Sequence, residues 1–188
     1  MKRWSFLLLA PIVLAATPAA DPAPYVRDVA HSQINFVAEA RLVSAHGTFD
    51  SWNAEILFDA DKIEASSLKI TIDAKSINTR VERRDNHLRS NDFFATDSFP
   101  QITFVSTSIN KTAADRMIIV GDLTIRGQTK TISIPSRLNF YDAERNVGRV
   151  TGNFVVDRHE YGVSFNSSMN PIEPEVAIQF DVAFQAKK

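Results

Sequence analysis

Along most of the chain, apolar and polar residues alternate singly, the period of a β-strand with one dry and one wet face. Ile34, Phe36, Ala38, Ala40 and Leu42 share one parity, against Asn35, Glu39 and Arg41 on the other. Phe49 leads into Ala54, Ile56 and Phe58, and Leu68, Ile70, Ile72 and Ala74 alternate with Lys69, Thr71, Asp73 and Lys75. The pattern resumes at Ile102, Phe104 and Ser106, then at Met117, Ile119, Gly121, Leu123 and Ile125. Three more runs follow: Ile132 to Phe140, Val150 to Val156, and Val176 to Phe184. A single wet face per strand implies an antiparallel sheet. Arg126-Gly127, between two such runs, fits a two-residue hairpin turn.

The period changes once. Thr79-Arg80-Val81-Glu82 matches a helix capping box, and Val81 and Leu88 would share a face of the short polar helix that follows. Phe93 and Phe94 are expected to tuck its end against the sheet, and Pro100 marks the return to strand. Asp21 to Pro24 reads as a mobile arm. Eight long strands, hairpin-scale connections and one short helical excursion predict an all-β protein, an eight-stranded antiparallel barrel.

Such a barrel is at the width where side chains either fill the interior or leave room for one small ligand. Here Ala38, Ala40, Ala54, Ala74, Ser106, Gly121, Ser136 and Gly152 share the inward parity with phenylalanines. Small residues on that face predict an incompletely filled interior. The 13 phenylalanines of the 188 residues predict apolar walls suited to an elongated apolar guest. Roughly ten buried carbons would contribute ~8 kcal/mol gross at ~0.8 kcal/mol per methylene. The inward face offers almost no donors for a sugar or amino acid. The residues expected to line the guest are Phe36, Phe58, Ile70, Ile72, Phe104, Leu123, Phe154 and Phe180.

Composition adds a location. Lys2 and Arg3 precede an apolar run from Trp4 to Ala16 and small residues from Thr17 to Ala20, the layout of an export signal too short to span a bilayer. Residues 1–20 are read as that signal and 21–188 as one barrel domain. Removing the signal leaves 19 basic residues of 21 against 22 acidic ones, a formal −3, which excludes a nucleic-acid partner. The chain has no cysteine, so an exported form must be held by its core without disulfides. A Gram-negative periplasm fits that best.

Five segments carry a resemblance. They are Asp28-Val29-Ala30-His31-Ser32, Gly47-Thr48-Phe49, Arg84 to Ser90 with Asp92-Phe93-Phe94, Pro100-Gln101-Ile102-Thr103-Phe104, and Gly121 to Lys130. In this order and spacing the chain resembles the YceI-like family of exported bacterial proteins over essentially its whole mature length. The resemblance implies a lipocalin-like barrel that binds polyisoprenoids or similar long amphiphiles, prenyl diphosphates and isoprenoid quinones among them. Arg158-His159-Glu160-Tyr161-Gly162 is compatible with the family pattern without matching it, and Ser164 to Pro174 is less typical. Carriage of isoprenoids, buffering of quinones and stress protection are not separated by sequence.

Catalytic and metal chemistry find little footing. His31, His46, His87 and His159 lack ligand spacing, and His159 and Glu160 would point to opposite faces of a strand. Asp28, His31 and Ser32 have the residue types of a triad without a nucleophile elbow. Arg83, Arg84 and Arg89 are candidates for an anionic headgroup at the barrel mouth. The competing reading joins Arg84, Asp85 and Asp92 in a surface network pinning the helix. The expected protein is a non-enzymatic lipid binder without cofactor, open to membrane or membrane-protein contact, as monomer or homodimer. Two alternatives stand beside it: a docking or accessory module for a membrane redox enzyme, and a packed structural barrel without ligand.

Overall fold

Hydrogen bonding joins the alternating runs into a closed ring in the computed structural model, which describes residues 21–187. The export segment expected over residues 1–20 lies outside the described residues. The strands are β1 (Ala23–Arg27), β2 (Gln33–Ala40), β3 (Ala45–Phe49), β4 (Trp52–Phe58), β5 (Ser67–Asp73) and β6 (Ile77–Asn78). After the helix α1 (Glu82–Arg89) come β7 (Gln101–Lys111), β8 (Arg116–Ile125), β9 (Gln128–Asp142), β10 (Val147–Asp157) and β11 (Ile172–Ala186). The first six behave as three strands, each broken once. β1 pairs β4 where β2 pairs β3, and β4 pairs β5 where β3 pairs β6. Counted that way, eight antiparallel strands run in chain order. The ring closes because β11 pairs with β2 along its first part and with β1 along its last.

The expected mobile arm is therefore a correction. Ala23 and Pro24 pair with Phe58 and Leu57, and Tyr25 pairs with both Ile56 and Ala186. Too few residues alternate in Ala-Pro-Tyr-Val-Arg to announce a strand, yet it is the strand that closes the barrel. At that end, Tyr25, Phe58, Tyr141 and Phe184 form an aromatic floor. Tyr25 meets Phe58 and Phe184 edge-on at 5.7 and 5.4 Å, and Phe58 lies 4.9 Å from Tyr141 and 5.2 Å from Phe184. The Tyr25 and Tyr141 hydroxyls are 2.9 Å apart, and Tyr25 also donates to Asn146 Oδ1 at 3.2 Å. Each such aromatic pair contributes about 0.5–1.5 kcal/mol beyond its area.

Two bulges reset the inward parity. Asn139 is the extra residue where Val150 faces Leu138 but Arg149 faces Phe140. Phe140, expected inside, is consequently 53% exposed, and Tyr141 turns in to join the floor. Thr107 does the same in β7, where Ser106 faces Gly121 but Ser108 faces Val120, and Ile109 becomes the buried residue. Simple alternation cannot register an inserted residue. The Arg126-Gly127 turn matches expectation, with positive φ at both residues (49° and 72°) and Ile125 opposite Gln128.

The capping box is not formed. Val81 is the N-cap and is 48% exposed, so it shares no buried face with Leu88. No side chain caps the helix; Asp85 instead ties its first turn to the preceding segment, its Oδ1 accepting from the Thr79 N–H at 2.8 Å and the Thr79 hydroxyl at 2.5 Å. His159 and Glu160 lie in a 3-10 turn (Arg158–Tyr161), not on a strand.

Glycines on the inner face are covered by phenylalanine rings. Phe36 lies opposite Gly47, Phe180 opposite Gly152 and Phe184 opposite Gly148, and Phe104 leans diagonally over Gly121. A Cβ on Gly121 would sit 2.5 Å from both the Phe104 ring and the Val105 carbonyl oxygen. On Gly152 it would sit 2.5 Å from the Phe180 ring and 2.9 Å from the Pro135 carbonyl oxygen. Gly121 and Gly152 therefore do not leave open space. Substituting either with Ala should lower stability by about 1–3 kcal/mol, the usual cost of overpacking, read as a shift in urea midpoint. An unchanged midpoint in both variants would contradict this packing.

Candidate functional site

Above the aromatic floor the barrel encloses a cavity of about 580 Å³, within the size range of small-molecule sites. Phe36, Phe58, Ile70, Ile72, Phe104, Leu123, Phe154 and Phe180 all line it, projecting from strands all round the ring. No carboxylate borders it; its polar groups are a few serines, Asn170, Arg84, His87, Arg158 and Tyr161.

The reason for the hollow differs from the one the small residues suggested. Of those eight, only Ala38 and Ala40 border the cavity. Ala54 and Ala74 are packed at 1% exposure, Ser106 Oγ accepts from the Leu68 N–H at 2.9 Å, and Ser136 Oγ donates to the Ile134 carbonyl. The walls are large side chains that do not meet across the axis. Ring circumference, set by eight strands, leaves the space.

The opposite end from the floor carries α1, the β2–β3 hairpin and the segment joining β10 to β11. Leu88, Val43 and Phe165 line the cavity from these elements, and Phe93 and Phe94 from the segment after α1. His87 stands edge-on to Phe93 and Phe165 at 5.0 and 4.8 Å, with its Nε2 2.8 Å from Asp92 Oδ2.

The three candidate headgroup arginines separate here. Arg84 lines the cavity, donating from Nε to Thr79 Oγ1 at 2.7 Å and from Nη2 to the Thr79 carbonyl at 3.0 Å, while Nη1 makes no hydrogen bond among the described residues. Arg83 is exposed and lies outside the cavity lining. Arg89 donates to the Lys75 and Ile77 carbonyls and to Asn86 Oδ1, fastening α1 to the barrel. Of the suggested Arg84–Asp85–Asp92 network, Arg84 and Asp85 are joined through Thr79, whereas Asp92 pairs with His87.

Two further arginines shape this end, through contacts to distant carbonyls that their local sequence does not encode. Arg158, 6% exposed, lines the cavity and donates to four backbone carbonyls: Val163 and Phe165 from Nη1, Ile172 from Nη2 and Glu173 from Nε. Burial pushes its pKa down, offset in part by Asp157. Arg126 donates to the carbonyls of Phe93, Gly162 and Asn91, binding the β8–β9 turn to both neighbouring loops. Hydrogen bonds to a charged donor are worth about 1.5–3 kcal/mol each, so these two guanidiniums hold the loop cluster in shape.

Asp28 and His31 pair at 2.8 Å on the exposed surface, which holds the Asp28 carboxyl below its ordinary pKa. Ser32 does not join them, because its hydroxyl exchanges hydrogen bonds with the Ala183 backbone. His46 and His159 are exposed, and no group of three potential metal ligands occurs among the described residues.

Tyr161 borders the cavity at 1% exposure, and its hydroxyl has no partner among the described residues. Burial pushes its pKa up to about 12, and Tyr25 rises to about 12 through burial and then its contact with Tyr141.

A YceI-like domain model matches residues 25–184. A UPF0312 protein of Staphylococcus aureus (strain USA300) is 36% identical over 164 residues, 85% of this chain and 92% of that protein. Among solved structures, Burkholderia cenocepacia BcnA superposes with a TM-score of 0.77 at 24% identity, covering 84% of this chain and 98% of its own. A polyisoprenoid binding domain from Saccharophagus degradans, implicated in plant cell wall breakdown, superposes at 0.70 with 17% identity over 88% and 99% of the two chains. These structures share the barrel fold.

The tyrosines provide a pH test. Folding keeps Tyr25 and Tyr161 neutral up to about 12, while the unfolded chain ionises them near 10. Their contribution to stability is complete below about pH 10 and is lost as the pH rises to about 12. Tyrosinate absorbance assigned by Tyr25→Phe and Tyr161→Phe should appear near pH 12 in the folded protein. Appearance near pH 10 before unfolding would contradict the burial.

Proposed function

The chain belongs to the YceI-like family, and from that premise we propose that it is a periplasmic, non-catalytic carrier of one long amphiphilic lipid. The tail lies in the barrel, and the polar end lies at the end covered by α1. The observation that carries this reading is a 580 Å³ cavity with aromatic and aliphatic walls, floored at one end by Tyr25, Phe58, Tyr141 and Phe184. A packed barrel without ligand has no need of that space, since protein interiors are otherwise filled to crystal density.

The chemistry of the walls selects the guest class. Apolar burial is non-directional and scales with area, so the walls favour chain length over any particular functional group. A polyisoprenoid, an isoprenoid quinone and a fatty-acid derivative all meet that demand, and the Saccharophagus degradans domain of the same fold is named for polyisoprenoid binding. At the α1 end, the free Nη1 of Arg84 is the donor for an oxyanion or quinone oxygen, with no carboxylate beside it in the lining to compete. Arg158 adds positive potential there with most of its donors already committed. The basic start and apolar run of residues 2–16 support export, and the lack of cysteine suits a fold independent of disulfides.

Native mass spectrometry of the protein purified from its own bacterium should show one lipid mass per chain. Ala38→Phe, which places a ring in the cavity from β2, should abolish that mass and leave the melting temperature within a few degrees. A protein that carries no lipid and still joins a membrane complex would replace this reading with that of a docking module. Unfolding of Ala38→Phe would mean that the space beside β2 is already filled.

A further inference from the structure

Two loops at the α1 end, residues 41–44 and 162–171, turn apolar side chains to water. Leu42 is 64% exposed, Val43 66% and Met169 78%. The other strongly exposed apolar residues, Val29, Phe140 and Val155, stand on separate elements, as isolated surface residues ordinarily do. The two loops are one surface. The Arg41 N–H donates to the Pro171 carbonyl at 3.1 Å, and the Leu42 N–H donates to Asn170 Oδ1 at 2.7 Å.

That surface adjoins the cavity. Val43 lines it from one loop, and Phe165, Ser167 and Asn170 line it from the other. Beside this surface, the Ser44 hydroxyl of the first loop donates to the exposed Glu39 of β2. Across both loops the only Lys, Arg, Asp or Glu is Arg41. At the same end, Arg80 just before α1 and Arg83 in its first turn are exposed, with the exposed Glu82 between them. None of these three arginines has an ion-pair partner among the described residues. Apolar tips flanked by arginine are the composition of a surface that settles into the headgroup layer of an anionic membrane.

We propose that the Leu42–Val43–Met169 rim docks on an anionic lipid bilayer and presents the cavity to the lipids it takes up. This rests on the reading of the cavity as a lipid site. A tail moved through water must expose every methylene that the barrel later buries, whereas a barrel seated on the bilayer receives it without that exposure. The rim inserts, Arg41 meets lipid phosphates, and Arg80 and Arg83 add attraction at longer range.

The test uses the mature chain and vesicles of phosphatidylcholine with or without phosphatidylglycerol. Wild type should co-float with the anionic vesicles, and Leu42→Asp/Met169→Asp, at two residues outside the cavity lining, should weaken that binding about tenfold or more. The same pair should slow uptake of a fluorescent geranylgeranyl analogue from donor vesicles while its affinity for the analogue added from ethanol stays at the wild-type value. Arg41→Glu should weaken docking at low salt and have little effect at high salt. Wild type that does not bind anionic vesicles, or a double variant that binds and extracts as wild type does, overturns the proposal, as does rim-dependent binding only to a membrane protein. Failure of wild type to bind the analogue even from ethanol would instead strike the cavity reading, because vesicle docking is scored without the analogue.

Discussion

Closure of the ring is the constraint on which everything else depends. Eight strands fix a circumference, and β11, shared between β1 and β2, closes it. Side chains from opposite walls then leave a lumen. The last three residues of β11, Phe184–Ala186, close against Tyr25–Arg27, so a strand of modest sequence signal secures the cylinder. Tyr25 both completes that strand and contributes to the floor, which couples closure of the wall to closure of one end.

Within the ring, packing is divided into dense and empty zones. Cross-strand Phe–Gly pairs let rings lie flat along the wall: Phe36, Phe180 and Phe184 each rest over an opposing glycine. A larger residue in place of the glycine would push its ring toward the axis and into the lumen. The glycines therefore preserve the cavity indirectly, by keeping aromatic mass against the sheet. The mouth depends on a different interaction. Arg126 gathers backbone carbonyls from two loops, and Arg158 joins the β10–β11 segment to the start of β11, which orders irregular chain with few apolar contacts of its own.

The strands and their antiparallel order were legible because alternation has a strict period of two and one face is dry. So were the eight lining residues, since inward parity on a closed sheet is the lumen. Alternation failed where an extra residue entered, at Thr107 and Asn139, and so Phe140 was expected inside where Tyr141 stands. It also failed for β1, whose proline lacks a ladder donor and whose few residues make no period. The roles of Arg84, Arg126 and Arg158 lie in contacts to distant carbonyls, which no local spacing encodes. Thr79 was expected to cap through Glu82, but Asp85, one turn on, took the bond because it is buried beside it.

The central claim is that one apolar chain fills the lumen from the floor upward. Delipidated protein titrated calorimetrically with straight-chain carboxylates of increasing length addresses it directly. Affinity should rise with each added methylene, by up to ~0.8 kcal/mol, then level off once the tail reaches the mouth, with one ligand per chain throughout. An affinity independent of length from the shortest member onward, or more than one chain bound per barrel, would contradict the account.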